Sequence, residues 1–387
     1  MTILRARFVM GLVVYIEMSE FGLSRLLRLV SLKRSLNTLR LILLALSMQL
    51  GACSDAHDGQ VSHALSTDSV KLLAQHESAA TEDYAEFRIL TPSSSVQKSA
   101  ELISLGERLF HDARLSGSMD VSCASCHQLT TGGDDQLAIS IGTQGRLGTV
   151  NAPTVMNAGL NFVQFWDGRA ASLADQIDGP IHDTNEMDSS WPQIVERLKA
   201  DKHYQERFLS LFEEGISPSN IKAAIVAFEN SLLTPSRFDA FLAGDVSLLN
   251  EQERKGLNLF LSLGCAGCHQ GVNLGGNMYQ YLGLMGNYFA DRGDVKESDL
   301  GLFNVTKRDQ DRYKFRVPSL RNVAQTAPYF HDGSVDTLED AVIKMAYYQL
   351  GFSLEEEQAM DIVAFLKTLD GSPVPNRLNA AAISGVK

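Results

Sequence analysis

The spacing of apolar positions predicts a mainly helical chain with long connecting loops. A stretch that begins at Pro218 and Ser219 repeats apolar residues at helical spacing on one face. These residues are Ile221, Ala224, Ile225, Phe228 and Leu232. The sequence contains no alternating apolar and polar run long enough for a substantial strand. The pattern therefore favours a mainly α fold class.

Local capping signals place further helix boundaries near the end of the chain. Two Ser/Thr residues followed three positions later by an acidic residue indicate helix starts, and two glycines indicate helix ends. The residues are Thr337 with Asp340, Ser353 with Glu356, Gly351 and Gly371. Two short helices close to the C-terminus are expected from these signals.

Four of the five cysteines lie in two copies of a Cys-x-x-Cys-His motif. The copies are Cys123-Ala-Ser-Cys126-His127 and Cys265-Ala-Gly-Cys268-His269. This is the attachment pattern of c-type haem. Two thiols one helical turn apart can reach the two vinyl groups of a porphyrin edge, and the adjacent histidine then gives iron its proximal nitrogen. The motifs predict two covalent haem c groups, with His127 and His269 as iron ligands.

Other uses of these cysteines explain the motifs less well. A thioredoxin-like redox pair needs no following histidine and would sit after a strand. A zinc site built from both pairs would be a knuckle with four cysteine ligands and no use for either histidine. Disulfides would form in an oxidising compartment but would also leave both histidines unexplained.

The sequence around the motifs repeats as well. Residues 106–110 read Gly-Glu-Arg-Leu-Phe before the first motif, and residues 256–260 read Gly-Leu-Asn-Leu-Phe before the second. The repeat predicts two related haem domains, at 99–235 and 236–375, with a tail at 376–387. Mainly helical domains with long loops are expected, because haem supplies much of each small core.

The first 52 residues have the features of an export signal. Five basic residues between positions 25 and 40 precede an apolar run at Leu41–Leu46, which is too short to span a bilayer. The run ends in Leu50-Gly51-Ala52-Cys53, which resembles a bacterial lipoprotein signal, with Cys53 as the lipidated residue. Ordinary cleavage a few residues later, after Ala56, is the alternative. We expect a periplasmic protein, lipid-anchored to a membrane through a polar tether at 53–98.

Composition and charge narrow the class of partner. With 44% hydrophobic and 21% charged residues, the 387-residue chain is too apolar to be disordered and long enough for two or three domains. Its net charge is −12, and removal of residues 1–52 makes it −17. A main role in binding nucleic acid is excluded, because neutralising phosphates needs a basic face. Cationic partners would be steered towards such a chain at low salt.

Most of the predicted mature chain resembles the bacterial dihaem cytochrome c peroxidases, a group that includes the dihaem enzymes of methylamine utilisation. The segments that carry the resemblance are 109–116, 165–169, 179–180, 186–187, 320–324 and 326–333. It implies two cytochrome c-like haem domains packed together, usually in a homodimer. It also implies two-electron reduction of hydrogen peroxide to water by electrons from a small redox protein, a cytochrome c or a blue copper protein.

The resemblance assigns roles to residues at both haems. The C-terminal haem would be a His/Met electron donor with Met345 as the axial ligand, although methylamine-type enzymes use a tyrosine and Tyr347 and Tyr348 are close by. The N-terminal haem would be the peroxidatic one, with Glu186 as its distal acid and Gln176 as its distal amide. An open iron there suits peroxide, because heterolysis needs a group that moves a proton between the two oxygens.

Two further sites follow from the same resemblance. Trp166 matches the tryptophan between the two haems. Asn151, Thr326 and Pro328 match an inter-haem calcium site made of one side-chain oxygen and two backbone carbonyls, which are donors that calcium accepts. His331 follows that loop, either coupling the two domains or making a structural hydrogen bond.

One position departs from the family pattern. Many members rest with a histidine on the distal side of the peroxidatic haem, and this ligand leaves when the donor haem is reduced. Thr143 stands at that position, and no histidine occurs between His127 and His182. We expect an N-terminal haem that needs no reductive activation, with His182 as the one alternative ligand.

Two other functions remain open at this point. A purely electron-carrying dihaem cytochrome would saturate both irons and need neither Glu186 nor Gln176. A dihaem oxidase acting on a protein substrate would keep the peroxide pocket but replace the ligand role of Met345.

Overall fold

The computed structural model describes residues 84–91 and 100–373. The predicted export signal, Cys53, most of the tether and the tail at 376–387 lie outside the described residues, so those predictions stay untested. Within the described ranges, no helix is both long enough and apolar enough to cross a membrane.

The described part of the chain is mainly helical, as predicted. Its α-helices are α1 (Ala100–Phe110), α2 (Cys123–Cys126), α3 (Leu173–Gln176), α4 (Asp178–His182), α5 (Trp191–Lys199), α6 (Lys202–Leu211), α7 (Pro218–Glu229), α8 (Arg237–Leu242), α9 (Glu251–Ser262), α10 (Tyr288–Arg292), α11 (Phe303–Thr306), α12 (Leu338–Met345) and α13 (Glu356–Leu366). Short 3-10 turns lie at Ala113–Leu115, Thr143–Gly145, Ala158–Leu160, Val246–Leu248, Cys265–Gly267, Glu297–Leu300, Asp309–Asp311, Val323–Gln325 and Lys367–Leu369, and a π-helical turn at Ala346–Leu350 follows α12.

Strand structure is confined to one small antiparallel sheet within the described residues. Strand β1 (Tyr279–Tyr281) pairs with β2 (Lys314–Arg316), with Tyr279 opposite Arg316. Three residues per strand are too few to produce a recognisable alternation in the sequence. The sheet matters for the site because Arg316 also donates its backbone N–H to the carbonyl of Trp166, 2.9 Å away.

The sequence repeat corresponds to two helix pairs, α1 with α7 and α9 with α13. A Cβ atom on Gly106 would lie 1.9 Å from the backbone oxygen of Ala224, and one on Gly256 would lie 1.8 Å from that of Asp361. Each glycine therefore lets the backbones of its helix pair approach more closely than any side chain would allow. Phe110 and Phe260, at the end of each repeat, are buried in the two corresponding cores.

The apolar residues form one large core in each half of the chain. The first core takes its residues from 103 to 232, and the second takes Phe87 and residues from 238 to 369. This division supports the predicted domain boundary at 235, which stays a prediction. Between the two cores, Thr234 donates its backbone N–H to Asn157 and its hydroxyl to Asn322, and all three residues are fully buried.

The predicted helix boundaries hold in part. Helix α12 starts after Thr337, whose hydroxyl accepts the N–H of Asp340, and the π-helical turn ends at Gly351 with a φ of 79°. The predicted start at Ser353 is wrong, because Glu355 and Gln358 form the capping box of α13. Gly371 directly follows Asp370, which caps the helical stretch that begins with α13 and ends at Leu369, so the predicted helix end is confirmed there. It approaches the backbone of residues 234 and 235 so closely that a Cβ would lie 2.5 Å from both carbonyl oxygens.

Candidate active site

The first haem motif starts a short helix. Helix α2 begins after Ser122, which forms a capping box with Ser125, and it places Cys123 and Cys126 one turn apart. The Nδ1 atom of His127 lies 3.3 Å from the carbonyl oxygen of Gly133, which leaves Nε2 available. Burial lowers the pKa of this histidine, so its imidazole is neutral at physiological pH. A neutral imidazole with one nitrogen fixed by a hydrogen bond is what an iron ligand requires.

The second haem motif has the same local design on a 3-10 turn. His269 donates its backbone N–H to the carbonyl of Cys265, and its Nδ1 atom lies 3.3 Å from the carbonyl oxygen of Leu274. Burial lowers its pKa to about 4. In both halves, therefore, the proximal histidine presents its Nε2 atom and stays neutral.

The four cysteines of the two motifs are unpaired. Burial raises the pKa of the Cys123 thiol to about 12 and those of the Cys126 and Cys265 thiols to about 11. None of the four cysteines belongs to a cluster of potential metal ligands among the described residues. The structure thus gives no support to the disulfide or zinc alternatives, whereas half-buried, unpaired thiols fit thioether bonds to haem.

A largely apolar cavity of about 240 Å³ lies behind the second motif. Cys265, Cys268 and His269 line it, together with Met345, the last residue of α12. Neither Tyr347 nor Tyr348 is among its lining residues. Tyr347 is half exposed, and the hydroxyl of Tyr348 donates to Asp291 at 3.2 Å. The donor set around this cavity fits a haem held between a histidine and a methionine.

Arg316 is a buried cation in the wall of the same cavity, and the sequence analysis missed it. Its Nε donates to the carbonyl of Phe165 at 3.2 Å, but it has no carboxylate partner in the described part of the chain. Burial lowers its pKa to about 10, so it still carries its charge. An uncompensated buried guanidinium needs an anion, and a haem propionate would supply one.

Trp166 connects the two halves of the molecule. It lines the cavity of the second motif, and its indole N–H donates to the carbonyl of Asn151 at 2.9 Å. Its chain neighbour Phe165 packs against Gly179 in α4, where a Cβ would lie 2.6 Å from the ring. Trp166 therefore belongs to the wall of one haem site while its neighbour is packed against the elements around the other.

Glu186 and Gln176, the residues predicted for the peroxide site, belong to the first half of the chain. Glu186 is largely buried, and this burial is the main reason why its pKa is raised. The negative charge of Asp183 raises the pKa further, whereas the positive charge of Arg169 lowers it. Burial first, and the charges of Asp135 and Glu186 after it, raise the pKa of the Cys126 thiol, so the Glu186 carboxyl lies within electrostatic range of the first motif. Arg169 stacks on the ring of Phe165, 3.4 Å from the centroid. Gln176 is the half-buried last residue of α3, directly before the buried Ile177 of the first core.

The two histidine positions singled out in the sequence are both accounted for. Thr143 is fully buried, and its hydroxyl donates to Asp120 at 2.7 Å. His182 lies exposed at the end of α4, with its Nδ1 atom 3.3 Å from the carbonyl oxygen of Ser189 and its ring 6.3 Å edge-on from Trp191. These contacts hold the imidazole ring of His182 on the surface beside α5.

The three residues of the predicted calcium site line one cavity, together with Trp166 and His331. The side-chain amide of Asn151 donates to the carbonyl of Leu137, which leaves its oxygen available. Within the described ranges, no N–H or O–H group donates to the backbone oxygens of Thr326 or Pro328. Three free oxygens around one cavity fit a hard cation.

A separate acidic cluster near this cavity is already neutralised. Asp299, His331 and Asp332 come close enough to share a metal ion, but Arg292 forms ion pairs with both aspartates. Burial raises the pKa of Asp299, yet hydrogen bonds from Arg292 and other donors bring it down to about 2. The cluster is therefore an ion-pair network. His331 joins it to the first half of the chain by accepting the N–H of Asn151 at 2.8 Å.

Comparison with known proteins identifies the family. The family profile described as di-haem cytochrome c peroxidase matches residues 100–247. A cytochrome c peroxidase of Escherichia coli is 46% identical over 278 residues, which cover 71% of this chain and 59% of that protein. Cytochrome c551 peroxidase of Nitrosomonas europaea is 43% identical over 296 residues, which cover 76% of this chain and 85% of that protein.

A solved structure agrees with this assignment. The crystal structure of a MauG-like protein associated with microbial copper homeostasis superimposes with a TM-score of 0.66 at 31% identity, covering 76% of this chain and 96% of that one. The chain belongs to the bacterial di-haem cytochrome c peroxidase family. The resemblance seen in the sequence, the mainly α fold and the class of enzyme are thereby confirmed, and haem c is the cofactor that this family implies.

Proposed function

We propose that the protein reduces hydrogen peroxide to water with electrons from a small redox protein, a cytochrome c or a blue copper protein. Electrons would enter at the C-terminal haem and pass to the N-terminal one. The observation that carries this proposal is the difference between the two sites. One cavity offers both a histidine and a methionine, whereas the other site offers a single histidine and a carboxyl group with a raised pKa.

The chemistry at the N-terminal site needs a proton to move between the two oxygens of peroxide. Bound haem would supply the iron and pass on the electrons for this reduction, in which one peroxide, two electrons and two protons give two water molecules. Glu186 takes the proton from the inner oxygen and returns it to the outer one, which leaves as water. The raised pKa of its carboxyl makes both transfers accessible near neutral pH.

Two polar groups would assist that transfer. Gln176 would donate a hydrogen bond to the leaving oxygen, a role that the family resemblance assigns to it. Arg169 lies close enough to lower the pKa of Glu186 against the effect of burial. It therefore stabilises the ionised carboxylate that has to accept the first proton.

The C-terminal site would hold its haem firmly and at a high potential. Thioether ligation by Met345 favours the ferrous state, and the buried cation of Arg316 would pair with a propionate in the same cavity. Trp166 would lie between this haem and the peroxidatic one. These positions describe an electron-transfer centre rather than a second reaction site.

The N-terminal site would be open without prior reduction. Thr143 stands where many relatives carry the distal histidine, and its hydroxyl is already bound to Asp120. His182 is held by Ser189 and Trp191 on the surface. With neither residue available as a ligand, the site would be accessible to peroxide before any reduction.

Several wider predictions accompany this function. Asn151, Thr326 and Pro328 would bind calcium between the haem sites, supported by the free oxygens around their common cavity. The protein would be periplasmic, attached to the membrane through a lipid on Cys53, and homodimeric.

Replacing Glu186 tests the catalytic proposal. Glu186→Ala and Glu186→Gln in the holoenzyme should slow peroxide turnover by about 10²–10⁴-fold, because a positioned acid–base group contributes roughly that factor. Their haem absorption spectra should stay near those of the wild type. Glu196→Gln, on the exposed face of α5, is the matched control and should keep full activity. Wild-type turnover in Glu186→Ala would remove this carboxyl from the mechanism.

The same preparations separate the two alternative functions. An electron carrier would show no peroxide turnover in the wild type, with or without reduction. An oxidase acting on a protein substrate would have a tyrosine ligand on the C-terminal haem. The positions of Tyr347 and Tyr348 outside the cavity favour Met345 instead.

A further inference from the structure

We infer that Asp120, Thr143 and Gln144 form a clasp that positions Glu186 for proton transfer. The inference rests on the proposed catalytic role of Glu186 and names the residues that hold its backbone. None of the three touches the reacting atoms in this account, so they are positioning residues.

The clasp begins with hydrogen bonds between the 142–146 turn and its two neighbours. The backbone N–H of Thr143 donates to the carbonyl of Glu186 at 2.7 Å. The hydroxyl of Thr143 donates to Oδ1 of Asp120 at 2.7 Å, and the N–H of Gln144 donates to Oδ2 at 2.8 Å. Both oxygens of Asp120 thus accept a hydrogen bond. The bond from Thr143 lowers the pKa of this carboxyl most, and the bond from Gln144 lowers it further. A charged acceptor makes these hydrogen bonds stronger than neutral ones.

The turn also packs closely against the backbone of Glu186 and of the residue before it. A Cβ on Gly142 would lie 2.0 Å from the carbonyl oxygen of Asn185 and 2.6 Å from that of Glu186. Gln144 takes a left-handed conformation with a φ of 57°, an uncommon one for a residue with a side chain. This geometry persists because Asp120 holds the turn from one side and the backbone of Glu186 holds it from the other.

The base of the clasp is fixed to the first core. The N–H of Asp120 donates to the hydroxyl of the fully buried Ser116 at 3.1 Å. The N–H of Gly117 donates to the carbonyl of Met187 at 2.6 Å. Arg197 donates to the carbonyls of Ser116 and Gly117. The 116–120 segment is therefore hydrogen-bonded to the residue directly after Glu186, while Thr143 is hydrogen-bonded to Glu186 itself.

Hydrogen bonds from Thr143 to the carbonyl of Glu186 and from Gly117 to that of Met187 anchor the backbone that carries the Glu186 side chain. Proton transfer within a bound peroxide needs the carboxyl placed to a fraction of an ångström, and a shift of about 1 Å can cost roughly 10²-fold in rate. The charged groups that act on this carboxyl are Asp183 on its own loop and Arg169 from the neighbouring segment. A loosened clasp would also admit water to Glu186 and reduce the burial that raises its pKa.

The test compares Thr143→Val with Thr143→Ser in the holoenzyme. Valine keeps the buried shape and loses the hydroxyl, whereas serine keeps the hydroxyl. We expect Thr143→Val to lower kcat/KM for hydrogen peroxide by about 10-fold, which is the effect of about 1.4 kcal/mol. Thr143→Ser should stay within about twofold of the wild type. The midpoint of the acidic limb of the pH–rate profile should shift to lower pH in Thr143→Val and stay unchanged in Thr143→Ser.

Asp120→Asn and Glu186→Gln complete the experiment. The asparagine can accept only one of the two hydrogen bonds, so this variant should resemble Thr143→Val in rate and in pH profile. Normal rate and normal acidic limb in both Thr143→Val and Asp120→Asn, with Glu186→Gln inactive, would overturn the clasp and leave the catalytic role of Glu186 intact. Full activity in Glu186→Gln would instead overturn the proposed function on which the clasp depends.

Discussion

Arg321→Met should destabilise the protein through a buried ion pair behind the C-terminal cavity. Both terminal nitrogens of the Arg321 guanidinium lie 2.8 Å from the two carboxylate oxygens of Asp239. The side chains are 0% and 6% exposed. Arg321 also donates its Nε to the carbonyl of Val272. The pair thus ties α8 to the 317–323 segment that lines the cavity.

The size of the effect follows from what Asp239 keeps after the substitution. Breaking a buried ion pair by removing one partner costs about 3–5 kcal/mol, because the other charge stays buried. Here Asp239 retains hydrogen bonds from the N–H groups of Leu90 and Ser236. We therefore expect the free energy of unfolding to fall by about 3 kcal/mol at pH 7, the lower end of that range.

The loss should shrink in acid. Burial raises the pKa of the Asp239 carboxyl, but the hydrogen bonds from Arg321 bring it below its ordinary value of 3.8. A lowered pKa means that the pair stabilises the fold above pH 3.8 and that this contribution is lost as the pH falls further. The difference between wild type and Arg321→Met should therefore be largest near pH 7 and smaller at about pH 3.

Urea unfolding of the holoprotein, followed by far-ultraviolet circular dichroism, measures this difference. Lys202→Ala is the matched control, because its partner Glu206 is exposed and the pair is worth less than about 1 kcal/mol. Asp239→Asn added to Arg321→Met should recover part of the loss by removing the unpaired charge. Equal, small losses of unfolding free energy in Arg321→Met and Lys202→Ala would show that the buried pair stabilises the fold no more than an exposed one.

Two further predictions concern the ligand of the C-terminal haem and the buried carboxyl of Glu229. Met345→His should lower the potential of the C-terminal haem and slow turnover while haem attachment stays intact, and the half-exposed Met360→Leu should change neither in spectroelectrochemical titration. An unchanged potential in Met345→His would mean that this methionine is not a ligand. Burial raises the pKa of Glu229 from 4.5 to about 8, so the wild type should lose stability as the pH rises from 4.5 to 8, by up to about 4 kcal/mol. Glu229→Gln should lack that slope in urea titrations at several pH values, and parallel slopes would show that Glu229 is not buried as a neutral acid.

The parts of the fold that depend on short stretches of sequence could be predicted. The two Cys-x-x-Cys-His motifs carry their own geometry, since Cys123 and Cys126 need only one helical turn between them. The repeated Gly106 and Gly256 were visible as a pattern, and the structure shows the reason, which is a close helix crossing in each half. A signal of this kind is local and survives in a single sequence.

Contacts between distant segments could not be predicted. Nothing in the sequence around Asp120 indicates that its carboxyl binds a turn 23 residues later, and Arg316 gives no sign of being buried without a carboxylate partner in the described part of the chain. The error at Ser353 has a related origin. Glu355 and Gln358 cap α13 equally well, and a capping signal alone does not choose between two starts two residues apart.

The roles of individual site residues were reached through the family resemblance rather than through the residues alone. From its sequence alone Glu186 would pass for a surface carboxylate, and its burial appears only in the structure. Asn151 is far in sequence from Thr326 and Pro328, and the latter two would act through backbone oxygens, which no sequence pattern marks.

The most direct test of whether the N-terminal haem is open without prior reduction is low-temperature EPR of the fully oxidised holoenzyme. Peroxide turnover is assayed alongside it, before and after one-electron reduction. An open N-terminal haem predicts a high-spin ferric signal and full turnover without reduction. Two low-spin signals with activity only after reduction would contradict the open site and point to another ligand, with His182 the first to replace. Two low-spin signals with no activity in either state would contradict the peroxidase itself.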